Sequence, residues 1–261
     1  MTVAHNSATT LQEPSAAAAS PRPRAVRLAA TSGMLMTVTA LLLIPIGVVT
    51  VFRARRLYAW IASVLARAIL RVYGVRFVVH ADAPFPRTQT VYVSNHTSTL
   101  DLFLLVALRL PATRFFLSGF LRKVPPLGII AAMMGTFFTV PQDRPAERTR
   151  IFQRAARILR RTGESVYLSP EGGRITTGEI GHFNKGAFHL ATELKAPIVP
   201  MYFQIPAGVD PGRGYDARPG VVHVHVLAPI ETREWKVEDL AANVARVRDL
   251  FVQTHEGFRC A

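Results

Sequence analysis

Hydrophobic positions along the chain fall into two regimes. Between residues 28 and 74 they are almost continuous, and from residue 75 onward they come in short runs broken by polar turns. The stretch 28–52, "LAATSGMLMTVTALLLIPIGVVTVF", holds no charged residue. A helix of roughly 20 apolar residues crosses the hydrocarbon core of a bilayer, so this stretch is long enough to span. Arg22, Arg24 and Arg27 precede it, and Arg53, Arg55 and Arg56 follow it. With arginine at both ends, the positive-inside rule assigns no orientation. Pro45 and Gly47 permit a bend in its second half. A second apolar segment, "LYAWIASVLARAILRVYG", follows after "RARR". Arg67 and Arg71 share one face of that helix, and Gly74 is a natural stop. The pattern predicts a helical hairpin that either dips into one leaflet or spans the bilayer. A cleaved signal peptide fits less well, because the apolar part is too long and no small-x-small site follows it.

From residue 75 the period changes. "VRFVVH", "TVYVSN", "TRFFLSG", "GTFFTV", "ESVYLS", "APIVPMYF" and "VVHVHVLAPI" read as strands from their β-branched and aromatic content. Helical patterns lie between them near 99–109, 126–134, 146–161, 184–195 and 237–255. In the last of these, Val237, Leu240, Val244, Val247 and Phe251 recur at spacings of three and four. Alternating strands and helices predict an α/β fold, a mostly parallel sheet flanked by helices. The expected organisation is a disordered tail over 1–27, rich in Ala, Ser, Thr and Pro at its start, a two-helix hydrophobic membrane module over 28–74, and an α/β domain over 75–261.

Composition adds a partner class. The 261 residues carry a formal net charge of +14, mostly from arginine. That balance calls for an acidic partner such as anionic headgroups or a phosphorylated substrate. No nucleic-acid-binding motif accompanies the charge, so nucleic acid is not expected. The helix at 146–161 presents Arg148, Arg150, Arg154, Arg157, Arg160 and Arg161. This is a solvated basic face, or a contact for anionic lipid or an acidic acyl carrier. The single cysteine, Cys260, allows no disulfide framework and no thiolate metal site.

Two stretches carry candidate chemistry. In "SNHTSTLDLF", residues 94–103, His96 precedes Asp101 by five. On a regular helix they would point about 140° apart, so they meet only if His96 sits on a loop and Asp101 in the first helical turn. Ser98 as N-cap with Asp101 three residues on has capping-box spacing, which is the purely structural reading. The chemical reading is a dyad. A carboxylate holding one ring nitrogen fixes the tautomer, and the other nitrogen takes a proton from a hydroxyl. No G-x-S-x-G elbow is present, which favours a substrate hydroxyl over a protein serine. In "SPEGGRITTGEIGHFNKGAFHL", residues 169–190, Gly172 and Gly173 let backbone approach a ligand. Arg174 suits a phosphate. Glu171 can accept from a substrate hydroxyl or orient the arginine, and the stretch is otherwise a turn with a surface ion pair. Asn184 reads as a helix cap with Lys185 beside it. His223 and His225 point to one side of a strand without a third ligand, and no metal site is expected.

Together these stretches resemble the glycerolipid acyltransferase family, which includes 1-acylglycerol-3-phosphate acyltransferases. The matching blocks are "NHTSTLD" at 95–101, "PEGGR" at 170–174, "FNKGAF" at 183–188 and "PIVP" at 197–200, in family order. The resemblance implies transfer of a fatty acyl group from acyl-CoA or an acyl carrier protein thioester to a lipid hydroxyl, most readily 1-acylglycerol-3-phosphate to give phosphatidate. It makes His96 the base, Asp101 its partner, and Glu171, Gly172, Gly173, Arg174, Lys185 and Arg144 the substrate-binding set, with no cofactor. Gly173 stands where lysophosphatidate acylators usually have Thr, and Arg144 comes three residues after the position where the family carries an arginine. Glycerol-3-phosphate and non-phosphorylated lysolipids are the alternative acceptors. A thioesterase and a non-catalytic membrane lipid-binding protein are the alternative activities. The expected place is the membrane, at the cytoplasmic face of the cell membrane.

Overall fold

The structure is a computed structural model that describes residues 23–212, 214 and 216–259. Most of the expected tail, residues 1–22, and Cys260 lie outside the described residues. Helix α1 (Pro23–Val49) begins inside the stretch expected as tail, and α2 (Arg55–Tyr73) follows. Then come β1 (Val75–Ala81), β2 (Val91–Ser94), α3 (Leu100–Leu108) and β3 (Thr113–Ser118). A 3₁₀ segment over Gly119–Lys123 leads to α4 (Pro125–Met133), β4 (Phe137–Thr139), α5 (Pro145–Thr162) and β5 (Ser165–Tyr167). The chain continues through α6 (Gly186–Leu194), β6 (Ile198–Gln204), β7 (Gly220–Val226) and α7 (Leu240–Arg259).

The seven strands form one sheet in the order β1-β7-β6-β2-β5-β3-β4. Every pairing is parallel except β6 with β7. Helices cover both faces, as a parallel sheet requires. The two-residue period of the strands divides them between two cores. Tyr92 and Phe115 pack with α1–α4 on one face. Val91, Val93 and Phe116 pack with α5–α7 on the other. β2 lies in the middle of the order and is buried along its length, so the loop leaving its carboxyl end is held by neighbours on both sides.

The two N-terminal helices do form a hairpin, but they are not equivalent. Only α1, among the described residues, is long and apolar enough to cross a membrane. Met34, Val38, Leu41, Leu42, Val48 and Val49 on it stay exposed. Gly47 sits where a Cβ would lie 2.7 Å from Met133 Cε, so its bare backbone lets α1 close on α4. In contrast, α2 is amphipathic. Tyr58, Ala62, Ala66, Ile69, Leu70 and Tyr73 are buried against the domain. Its arginines do not act as a pair, because Arg67 donates from Nε and Nη2 to the Ala107 carbonyl at 3.1 and 2.9 Å and so caps the end of α3, while Arg71 is exposed. The expectation of two hydrophobic membrane helices is corrected to one, since α2 spends its apolar stripe on the fold. Gly74, with φ of 73°, ends α2 in the left-handed conformation expected of that residue.

Candidate active site

The site grows from the end of β2. Where the ladder stops, the Asn95 side chain continues it. Asn95 Nδ2 donates to Phe203 O at 3.0 Å, and Phe203 N donates to Asn95 Oδ1 at 2.8 Å. This pins the loop to β6 one residue before His96.

His96 is held at both backbone atoms by the glycine-rich stretch. Its N–H donates to Glu171 Oε2 at 2.6 Å, and its carbonyl accepts from Ile175 N at 2.8 Å. Its ring meets Asp101, with Nδ1 2.7 Å from Oδ2. The same oxygen accepts from Thr97 N at 2.8 Å and from Ser98 N at 2.9 Å. Asp101 is therefore both a helix-start acceptor and the partner of the imidazole, and it is buried. Ser98 Oγ takes the N–H of Leu100 at 3.1 Å, the bond expected of a capping serine, and the regular helix α3 runs from Leu100. With Nδ1 donating to the carboxylate, Nε2 is left as the acceptor nitrogen. The His96 side chain is 29% exposed and that of Asp101 1%, so the dyad opens to solvent on the imidazole side.

Glu171 does not face outward. Its second oxygen, Oε1, accepts from Gly181 N at 2.9 Å, so both oxygens are committed inside the protein. Burial pushes its carboxyl above the usual range, against the pull of the Gly181 and His96 amides and the His96 charge, and the nearby Asp101 charge pushes the same way as burial. Gly172 has φ of 69°, and a Cβ there would lie 2.8 Å from Asn184 Nδ2. That amide donates to Pro170 O and Glu171 O, each at 3.0 Å. Asn184 thus ties down the glycine turn instead of capping α6. Gly173 is exposed, with open space where a side chain would go.

Arg174 reaches across to the other loop. Its Nη1 donates to Thr99 Oγ1 at 3.0 Å and lies 3.4 Å from Gly212 O. Its Nε is buried with no partner. The structure therefore brings His96, Asp101, Glu171 and Arg174 into one constellation with the exposed Gly172–Gly173 turn. It leaves Arg144 exposed at the start of α5, 3.7 Å from Glu147, and Lys185 exposed at the start of α6. Sequence reasoning missed Asn95, Thr99, Ile175 and Gly212 as supports. Asn95 and Thr99 stand inside a block already singled out, but their partners lie 108 and 113 residues away, so no local pattern announces them.

Behind α3 lies an apolar cavity lined by Met36, Ala66, Phe103, Val106, Phe115 and Met134, among others. It is walled by α1–α4 and β3, and its lining is almost wholly carbon. On β7, His223 and His225 do share one side. His80 of β1 hydrogen-bonds His223 at 2.8 Å and stacks on His225 with ring centroids 4.7 Å apart. Among the described residues no group of three or more His, Cys, Asp or Glu is arranged to hold a metal ion.

Residues 76–204, which contain both stretches, match the family model described as Acyltransferase. The 1-acyl-sn-glycerol-3-phosphate acyltransferase of Saccharomyces cerevisiae is 28% identical over 209 residues, covering 78% of this chain and 68% of that protein. The 1-acyl-sn-glycerol-3-phosphate acyltransferase alpha of Bos taurus is 29% identical over 178 residues, 68% of this chain and 62% of that protein. The crystal structure of the 1-acyl-sn-glycerophosphate (LPA) acyltransferase PlsC from Thermotoga maritima has the same fold. It superposes with a TM-score of 0.66 over 91% of this chain and 98% of that one, at 19% identity.

Proposed function

This chain belongs to the acyltransferase family, and from that premise we propose that it acylates 1-acylglycerol-3-phosphate to phosphatidate, with His96 as general base. The observation that carries the reading is the 2.7 Å contact from His96 Nδ1 to a buried Asp101 oxygen that already accepts two backbone N–H groups. A carboxylate so held keeps the proton on Nδ1 and the lone pair on Nε2.

The acceptor hydroxyl lies against Nε2. His96 takes its proton as the oxygen attacks the thioester carbonyl, and Asp101 stabilises the imidazolium that results. Collapse of the tetrahedral intermediate breaks the carbon–sulfur bond, and the departing thiolate recovers the proton from Nε2. No acyl-enzyme forms, and no cofactor is needed beyond the thioester, acyl-CoA or an acyl carrier protein. Arg174, only partly buried beside the dyad, meets the phosphate of the acceptor with its guanidinium. The exposed Gly172–Gly173 turn leaves room for the headgroup, and Arg144 and Lys185 add charge at the rim. Glu171 positions His96 through its backbone amide. The apolar cavity behind α3 receives the acyl chain, since its lining is almost wholly carbon apart from the Thr136 hydroxyl.

The protein works at a membrane, on the cytoplasmic face. The exposed apolar side of α1 enters the bilayer. The test is purified protein with labelled acyl thioester against lysophosphatidate, glycerol-3-phosphate and non-phosphorylated lysolipids. Lysophosphatidate is expected to give the highest kcat/KM. Activity confined to non-phosphorylated acceptors would refute the role of Arg174, and release of free fatty acid independent of any acceptor would refute the transfer itself.

A further inference from the structure

On the sheet face opposite α1–α4, helix α5 carries a row of arginines that the fold does not use. Arg150, Arg154, Arg157 and Arg161 follow one another at spacings of four, three and four, so they lie along one side of the helix. All four are exposed. The remaining arginines at this helix have partners: Arg144 lies near Glu147, Arg148 donates to Val140 O at 2.9 Å, and Arg160 pairs with Glu193. Among the described residues no carboxylate forms an ion pair with any of the four. Like charges at this spacing destabilise an isolated helix, and Glu147 is the only acidic residue on α5.

The row is joined to the site. A Cβ on Gly172 would meet Gln142 Nε2, just before α5, at 3.2 Å, and Phe152 of α5 packs on Gly186 at the start of α6. From Arg150 to Arg161 the row runs about 16 Å, taking 1.5 Å per residue. That is longer than one phosphate or one headgroup spans. Its position argues against a bilayer partner. The exposed apolar residues of α1 belong to the opposite helical layer, with the sheet between, so the row faces water when α1 is in lipid.

We propose that this arginine row docks an acidic protein that carries the acyl chain as its thioester, through carboxylates spaced along a helix of that partner. Docking there brings the thioester to the site from the aqueous side, while the lysolipid arrives from the membrane side. The inference rests on the acyl-transfer reading above. Such contacts act mainly through encounter and register, so their loss appears in KM and in salt dependence.

The same acyl chain is offered as the thioester of a bacterial acyl carrier protein and of coenzyme A, with lysophosphatidate as acceptor. The enzymes are the wild type, R154Q/R157Q and R154E/R157E. Both pairs sit on an exposed helix face, and circular dichroism melts check that each variant folds. The charge-reversed variant is expected to raise KM for the carrier-protein thioester about tenfold or more, and the neutral variant less, with KM for the coenzyme A thioester within about twofold. Wild-type KM for the carrier thioester should also rise steeply with salt. The proposal is overturned if both donors weaken alike, if neither changes, or if wild type accepts the coenzyme A thioester but not the carrier one. Lost binding to phosphatidylglycerol vesicles with unchanged donor discrimination would assign the row to lipid and also overturn it. Wild-type transfer from neither donor is the separate result that removes the acyl-transfer reading, and the docking inference with it.

Discussion

Asp101 Oδ2 accepts three hydrogen bonds, from an imidazole and two backbone amides, and this atom resolves the two readings of "SNHTSTLDLF". An acidic residue in the first turn of a helix is stabilised by the free N–H groups there, and the same stabilised anion holds a histidine on the preceding loop. Asp101→Asn keeps the volume but offers a weaker, neutral acceptor and admits the wrong tautomer. We expect kcat to fall by about 10²–10⁴-fold, with His96→Ala in the same range. Each variant should keep its far-UV circular dichroism, and retained transfer by His96→Ala would mean a different base. Glu171→Gln tests positioning. One amide oxygen cannot serve two N–H groups on opposite sides, so one of His96 and Gly181 loses its acceptor. The expected loss is about tenfold to a hundredfold in kcat, on the scale of one unsatisfied buried donor, with little change in acceptor KM. Arg174→Ala should instead raise KM for lysophosphatidate and leave non-phosphorylated acceptors nearly unaffected.

At the scale of elements, the N-terminal hairpin is tied to the sheet by one carboxylate. Glu164, at the mouth of β5, takes Arg55 Nη2 of α2 at 2.9 Å and Arg114 Nε of β3 at 2.7 Å. Burial opposes ionisation of Glu164, but the hydrogen bonds of Arg114 and Arg55, the Arg114 charge and the Thr162 hydrogen bond outweigh it and hold the carboxyl below its ordinary value. The unfolded chain then binds that proton more tightly than the folded one. The stabilisation is fully present above the unfolded carboxyl pKa and drains away as pH falls through the lower, folded value. Glu164→Gln should cost about 1.5–3 kcal/mol near neutral pH, the range for hydrogen bonds to charged groups. It should also flatten the acid limb of the melting curve, measured as Tm against pH. A variant that loses stability equally at all pH values would show that packing, not charge, is what Glu164 contributes.

For the whole molecule, the layers decide how substrates meet. An exposed apolar helix lies on one side of the sheet and a bare arginine row on the other, and the catalytic loop sits at the carboxyl ends of central strands, where open α/β sheets place their sites. Adding charge to the exposed side of α1 with Leu41→Arg/Val48→Arg should shift the protein from the vesicle pellet to the supernatant in a co-sedimentation assay. Activity on a short-chain, water-soluble lysophosphatidate should change far less than activity on membrane-borne substrate. Equal loss on both acceptors would mean that α1 matters to the fold rather than to membrane access.

Much of this was legible without a structure, because it depends on short-range physics. Strand and helix positions follow from two-residue and 3.6-residue periods, and the seven strands and five later helices sit where those periods put them. The His96–Asp101 pairing follows from a loop-to-helix boundary only a few residues long. Tertiary structure alone decided the rest, because it depends on what lies opposite a residue across the fold. It turned α2 from a membrane helix into a domain helix, Glu171 from a ligand group into the holder of His96, and Asn184 from a cap into a clamp on the glycine turn. It also left Arg144 and Lys185 exposed at the starts of α5 and α6. Side chains of the same type differ in these cases only in which distant backbone amide or carbonyl comes within reach, and a linear pattern does not carry that information.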